Sequence, residues 1–206
     1  QSGDNYRNWW PHQTMTAFSN HSIDLMERLA RESDNVFNMT HRGYVLATRR
    51  ASVDELLSTL QSGTDVDVVS GRERIRSAFP ALGEDVRHVI HIRRAGDISG
   101  QQLGMLMLDR IRDTGGRLLH GEVTEATKNG SFSVQVKTAS ETKTLQADVL
   151  VNAAGPFVQN VAGMFGAELP VRNVYQQKIA FQDKLAAIPR DMPFSIDLDR
   201  KSLGWT

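Results

Sequence analysis

The chain has 206 residues, with 24 Lys and Arg against 24 Asp and Glu, so its formal charge is zero. A neutral chain lacks the basic excess that nucleic-acid binding draws on, and its longest apolar runs, such as Val149-Leu150-Val151, fall far short of the roughly 18–20 residues that cross a bilayer. The absence of cysteine excludes disulfides, thiolate-bound metals and a cysteine nucleophile within this stretch, while 40% hydrophobic residues suffice for a sizeable core.

Taken in chain order, Gln1-Ser2-Gly3-Asp4 reads as the middle of a loop, and with Lys201 to Thr206 at the other end it suggests a segment of a longer protein. Phe18, Ser22, Leu25, Met26 and Leu29 fall on one face of a helix over about 15–30. Val36-Phe37-Asn38-Met39 and Gly43 to Ala47 read as two short strands around a polar bend. A helix follows over 53–61, then a strand at Val66 to Val69, and Ser70 reads as the cap of a short helix over 71–77. Asp97-Ile98-Ser99 leads into a helix over about 100–114 with Leu103, Leu106, Met107 and Ile111 on its apolar face, ended by Gly115-Gly116.

The second half is more regular. Strand-like pieces at 117–120 and 123–126 precede two alternating strands, 132–136 and 142–145, joined by polar turns. Ala147 to Asn152 reads as a buried strand running into Ala153-Ala154-Gly155-Pro156 and a further helix. Val171 to Phe181 reads as one long extended strand. His88-x-x-His91 raises a metal pair, but with no carboxylate constellation beside it the reading is two solvated histidines and no metal site.

Helix, Gly-Gly, strand, β-meander, buried strand, Asn152-Ala-Ala-Gly-Pro156, helix and Leu169-Pro-Val171 form an order that resembles the FAD-dependent oxidoreductases of the D-amino-acid oxidase, sarcosine oxidase and dimethylglycine dehydrogenase superfamily. Arg94-Ala-Gly-Asp-Ile-Ser-Gly-Gln-Gln-Leu-Gly-Met105 is similar to that family's lead into its helix. Tyr6-Arg-Asn-Trp-Trp-Pro11 is similar to the segment after the flavin-contacting loop in one subgroup. The likeness covers the whole chain but only the middle of the family's fold. It implies an α/β chain: a partial FAD-binding Rossmann-like domain with a β-meander, plus the start of an antiparallel substrate-domain sheet. The implied divisions are 1–168, with 36–95 contributing to the substrate-side sheet, and 169–206. The N-terminal βαβ unit with its Gly-x-Gly-x-x-Gly phosphate loop is not in this sequence, so this stretch alone is expected to hold FAD weakly and to be inactive.

The resemblance also implies site residues. Small side chains at Ala153, Ala154 and Gly155, with Phe157 after them, are expected beside the FAD adenosine and pyrophosphate, because a strand ending in small residues admits a bulky ligand close to backbone. The alternative is tight strand-to-helix packing. Val123 falls where the family holds adenine through strand backbone, and Ser2 and Gly3 where a loop meets the flavin. Arg7 is the candidate catalytic cation, able to support charge on flavin or to grip a carboxylate, against the plainer reading of an exposed surface arginine. Trp9-Trp10 suggests either an aromatic cage or packing, with packing favoured. Tyr175 and Gln177, on one face of the extended strand, are candidates for substrate contact. The implied reaction is oxidation of a C–N bond of an amine or amino acid by hydride transfer to FAD, with the electron acceptor unspecified. The rivals are a hydroxy acid or polyol phosphate oxidised on the same scaffold, a non-catalytic remnant, and an NAD(P)-binding domain, which the missing fingerprint disfavours. The expected compartment is the cytoplasm, or the mitochondrial matrix in a eukaryote.

Overall fold

In the computed structural model, residues 4–58, 65–175 and 182–199 are described. They fall into two compact units, one formed by 1–114 with 182–206 and the other by 115–181. In chain order the elements are β1 (Asn5–Arg7), α1 (Gln13–Glu32), β2 (Tyr44–Thr48), α2 (Asp54–Leu57), β3 (Val66–Ser70), α3 (Arg72–Ala78), β4 (His88–Ile92), β5 (Ala95–Asp97) and α4 (Gly100–Asp113). They continue with β6 (Glu122–Asn129), β7 (Ser131–Lys137), β8 (Thr142–Ala147), α5 (Val158–Gly163) and β9 (Phe194–Asp197).

In the first unit, β3, β4, β2 and β9 form one sheet in that order, with β2 antiparallel to β4 and parallel to β9. Successive side chains of a strand point to opposite faces, so the register sorts the sheet into two apolar layers. Tyr44, Leu46, Ile90 and Ile92 pack with Trp9 and Ala95 on one face. Val45, Ala47 and Val89 pack with Ile75, Phe79 and Val86 on the other. With partners on both edges and cover on both faces, β2 buries all five of its residues, which is why it reads as an unbroken apolar run. A third cluster joins Tyr6, Ile23, Phe37 and Met39 to Leu103 and Leu106, and holds α1 and α4 against β1.

Polar contacts fasten β9 to β2. Leu198 N donates to Ala47 O at 2.9 Å, Thr48 Oγ1 donates to the Asp199 carboxylate at 2.9 Å, and the Arg49 guanidinium bonds Asp197 at 2.9 Å and also Asp85. The Arg49 backbone N–H, donating to Asp199, holds that carboxyl below its ordinary range.

Three expectations for this unit change. Residues 36–39 are not a strand: Asp34, Asn35 and Asn38 have positive φ, and the Asn35 side chain clasps Met39 through both its N–H and its C=O. Phe37 and Met39 are nevertheless buried. Ser70 ends β3 instead of capping α3, because its hydroxyl lies 2.8 Å from His88 Nδ1; Gly71 starts the helix with no side-chain cap. The face expected of α4 is only half used, since Leu103 and Leu106 reach the core while Met107 and Ile111 are exposed. Of the helix expected over 53–61, α2 covers Asp54–Leu57 and 59–64 lie outside the described residues.

In the second unit, β6, β7 and β8 form an antiparallel meander. Gly130, at φ +78, turns β6 into β7. Ala126, Val134 and Val136 form its small core with Leu150, Met164 and Phe165. Residues 117–120 are not a strand. The buried strand expected at 147–152 does not form: β8 ends at Ala147, and Val149 and Val151 are 76% and 79% exposed. A strand apolar on both sides needs sheet partners at its edges and layers over its faces, and among the described residues 148–152 have no strand partner. The long strand expected from Val171 is likewise absent over 171–175, and 176–181 lie outside the described residues.

Candidate functional site

Arg7 occupies the last position of β1, which pairs with β5 in the register Arg7↔Ala95. That pairing turns its side chain toward the sheet, where its guanidinium carbon lies 3.9 Å from the centre of the Trp10 ring and 4.8 Å from that of Tyr44. Arg7 is half-buried, and burial lowers its pKa from the ordinary arginine value. Its Nε is enclosed with no hydrogen-bond partner, and no carboxylate among the described residues pairs with it. A cation taken partly out of water without a counter-ion is costly, and ring faces recover only about 0.5–2 kcal/mol. Arg7 is thus half-buried against two rings and not fully exposed.

The arm that carries Arg7 is firmly held. Asn8 N donates to Arg94 O at 3.0 Å, and Thr16 Oγ1 accepts from Trp10 N and donates to Trp10 O, each at 3.1 Å. Arg94 in turn reaches α1, bonding Asp24 at 2.5 Å, Glu27 at 2.9 Å and Asn20 at 3.1 Å. Asn20 Oδ1 also accepts from Asn8 Nδ2 at 3.3 Å. On the far side of β1, Tyr6 donates its hydroxyl to Thr40 O at 2.5 Å, and burial raises that phenol above its ordinary range. Trp9, 1% exposed, packs against the sheet, so this half of the Trp pair serves the core. The Nε1 atoms of Trp9 and Trp10 and Asn8 Oδ1 are, like Arg7 Nε, buried polar atoms without partners. Four such atoms within four consecutive residues mark this arm as the least satisfied polar region among the described residues of the unit.

The second locus lies in the other unit. Asn152 shapes it locally, donating Nδ2 to Val158 O at 2.8 Å and accepting from Ala154 N at 3.3 Å, so 152–158 close into a turn with a short 3₁₀ piece at Gly155–Phe157. Asn173 Nδ2 braces it by donating to Pro156 O at 2.7 Å. Gly155 has φ +55, a conformation that side chains resist, and a Cβ placed there meets nothing within 4 Å. Ala153 and Phe157 are exposed on the same turn, and Ala154 is half-buried. Val123 stands exposed on β6, next to a bulge between Val123 and Glu125. Tyr175 is 90% exposed, and Ser2, Gly3 and Gln177 lie outside the described residues.

The histidine pair separates: three residues apart on β4, His88 meets Ser70, while His91 packs edge-on against Phe79 on the other face. No cluster of His, Asp or Glu among the described residues is placed to hold a metal, and none of their helices is long and apolar enough to cross a membrane. Tyr44 and Arg94 are the residues sequence reasoning missed. Tyr44 reads as one more apolar strand position, and only the sheet register brings it to Arg7.

Residues 1–203 match the sequence pattern of the family described as DAO, FAD dependent oxidoreductase. The chain belongs to that family, whose cofactor is FAD. It is 28% identical over 189 residues to human mitochondrial dimethylglycine dehydrogenase, covering 86% of this chain and 21% of that enzyme. The fold is similar to that of glycine oxidase from Geobacillus kaustophilus, with a TM-score of 0.63 and 17% identity over 80% of this chain and 45% of the other. It is equally similar to that of L-proline dehydrogenase from P. horikoshii, with a TM-score of 0.64 and 16% identity over 80% and 44%. The mixed α/β arrangement is thus that of the FAD-dependent oxidases, and the chain spans about a fifth of the human enzyme and under half of each of these structures.

FAD carries a diphosphate, an adenine and a flavin ring that gains charge on reduction. The open space at Gly155 on a turn of small residues fits the diphosphate of such a group. In the other unit, taken by itself, Arg7 is a cation with no carboxylate partner among the described residues, which fits a negatively charged group.

Proposed function

We propose that the family-length protein containing this segment oxidises a C–N bond of a small amine or amino acid. When bound, FAD supplies the hydride acceptor. The chain's own residues bind, orient and exclude water. Arg7 offers its guanidinium to a substrate carboxylate or to negative charge on the flavin, with the rings of Trp10 and Tyr44 beside it. Ala153, Ala154, Gly155 and Phe157, together with Val123, support the adenosine and pyrophosphate end. Ser2 and Gly3 border the flavin, and Tyr175 and Gln177 stand on the substrate side. Residues 1–168 form the partial FAD-binding portion and 169–206 the start of the substrate sheet, to which 36–95 contribute. The pairing of β9 with β2 supports a sheet shared by those two stretches.

The observation that carries this reading is Arg7: a half-buried cation, backed by rings, with no anion of its own among the described residues. The test is Arg7→Lys, which keeps the charge and loses the planar fork. Loss of one charged hydrogen bond costs about 1.5–3 kcal/mol, which is roughly a ten- to hundredfold fall in substrate affinity or flavin reduction rate. Anaerobic stopped-flow reduction with free and N-methylated amino acids measures it. Unchanged rate and affinity across that panel would remove Arg7 from the site.

A further inference from the structure

We propose that Asn129 is a site of spontaneous modification: its side-chain carboxamide condenses with the backbone nitrogen of Gly130, and water opens the ring to aspartate or isoaspartate at the tip of the β6–β7 hairpin. The site belongs to the second unit and stands independently of the reading of Arg7.

The chain has nine asparagines, and Asn129 is the one followed by glycine. A side chain on the following residue crowds the amide nitrogen that must attack, and glycine leaves it bare. Gly130 alone lies between β6 and β7, with φ +78, and a Cβ placed on it would meet nothing within 4 Å. Asn129 and Gly130 are both exposed, so water reaches the turn. Other asparagines are held. Asn35, Asn38, Asn152 and Asn173 each spend their carboxamide on a neighbour, and Asn8 bonds Asn20. Asn160 lies inside α5 and precedes the branched Val161. Among the described residues no hydrogen bond holds the Asn129 carboxamide. An unheld electrophile, an uncrowded nucleophile and solvent thus meet at this turn.

The chemistry needs only water. The Gly130 nitrogen gives up its proton and bonds to Asn129 Cγ; the Cγ–NH2 bond breaks, and ammonia leaves with that proton. Water then cleaves one of the two bonds from the ring carbonyls to that nitrogen. Cleavage at Cγ gives aspartate, and cleavage at the backbone carbonyl gives isoaspartate, with the chain now running through the side chain. Either product places a carboxylate beside Lys128, whose Nζ lies 5.0 Å from the centre of the Phe132 ring. Isoaspartate also adds a methylene to the main chain next to the pairs Lys128↔Phe132 and Thr127↔Ser133. That register carries Ala126 and Val134 into the small core, so the longer backbone loosens the hairpin from its turn.

The test ages the folded full-length protein at mildly alkaline pH and follows each asparagine by digestion and mass spectrometry. The peptide holding Asn129 is expected to exchange its amide for a carboxyl ahead of every other asparagine peptide. Isoaspartate is counted by methyl transfer from S-adenosylmethionine with an isoaspartate carboxyl methyltransferase. Asn129→Gln, whose longer side chain closes the larger ring reluctantly, should lose that methyl acceptance; circular dichroism checks that it folds. Limited proteolysis within 122–137 should quicken in aged wild type and stay unchanged in aged Asn129→Gln. An Asn129 amide that survives in the folded protein, or reacts no faster than the other asparagines, overturns the site. Methyl acceptance that persists in Asn129→Gln moves the isoaspartate elsewhere and overturns the assignment. Modification of Asn129 without faster proteolysis overturns the loosening of the hairpin.

Discussion

The two compact units bury their strands in opposite styles. In the first, β2 is covered on both faces and paired on both edges, and apolar clusters form on each side of the sheet. In the second, Ala126, Val134 and Val136 make a core on a single face of the meander, while the apolar stretch that follows, with Val149, Val151 and Phe157, stands in water. The difference teaches that an apolar run and a buried run are separate properties. Burial belongs to the neighbours a segment meets, and only the first unit supplies them on both sides of its central strand. It also separates the two candidate loci: Arg7 sits against an enclosed core, whereas the Asn152–Pro156 turn is an open rim.

A large effect that tests this contrast is expected at Gly96. A Cβ there would fall on the carbonyl of Thr40, well inside contact distance, and the obstacle is backbone that cannot step aside. Gly96→Ala should force β5 from Thr40 and disturb its partner β1, which carries Arg7. Overpacking of this kind typically costs about 1–3 kcal/mol and sometimes more, and a rigid backbone obstacle puts this case at the upper end. A urea midpoint within error of wild type would show that β1 and β5 do not lie so close.

The contrast sharpens with a pair of truncations. Ile90, fully buried between β2 and β3, should cost about 2–5 kcal/mol when changed to Ala, through lost transfer energy and the cavity left behind. Val151→Ser should stay within about 0.5 kcal/mol in this chain, because the side chain is already in water. Equilibrium denaturation of both variants decides the matter. A large loss at Val151 would mean that the 148–152 stretch is covered after all.

Much of this fold is legible in the sequence because local periodicity suffices for it. The helices α1 and α4 follow from the spacing of Leu29, Leu103 and Leu106, and the alternation of Phe132, Val134 and Val136 marks the meander. What was not legible depends on partners distant in sequence. Val149 to Val151 has the composition of a central strand but no adjacent strand among the described residues. Ser70 has the look of a helix cap, yet His88 on β4 takes its hydroxyl. The site shares this limit: Arg7 and Trp10 are three residues apart and readable as a motif, whereas Tyr44 on β2 joins them only in the folded sheet.

The smallest expected effect concerns His91, on the doubly covered sheet. Its Nε2 is buried without a partner, and a Cβ on Gly43 would come within 2.5 Å of it, so the ring is closed in by glycine on one side and Phe79 on another. Desolvation lowers its pKa from the ordinary histidine value. Asp67 on β3 pulls in the opposite direction, and Arg93, beyond the end of β4, adds to the lowering. The folded state therefore holds the neutral ring where the unfolded chain takes up a proton. Stability is fully retained above the ordinary histidine range, and is lost progressively as pH falls below about 6.5 toward the lowered folded-state value. Thermal unfolding from pH 8 to 5 should show this decline in wild type and a shallower one in His91→Leu, which removes the titrating ring. The slope is the informative quantity, because packing changes alone displace both ends of the curve together. Parallel curves for the two proteins would show that His91 contributes nothing to the acid sensitivity of this sheet.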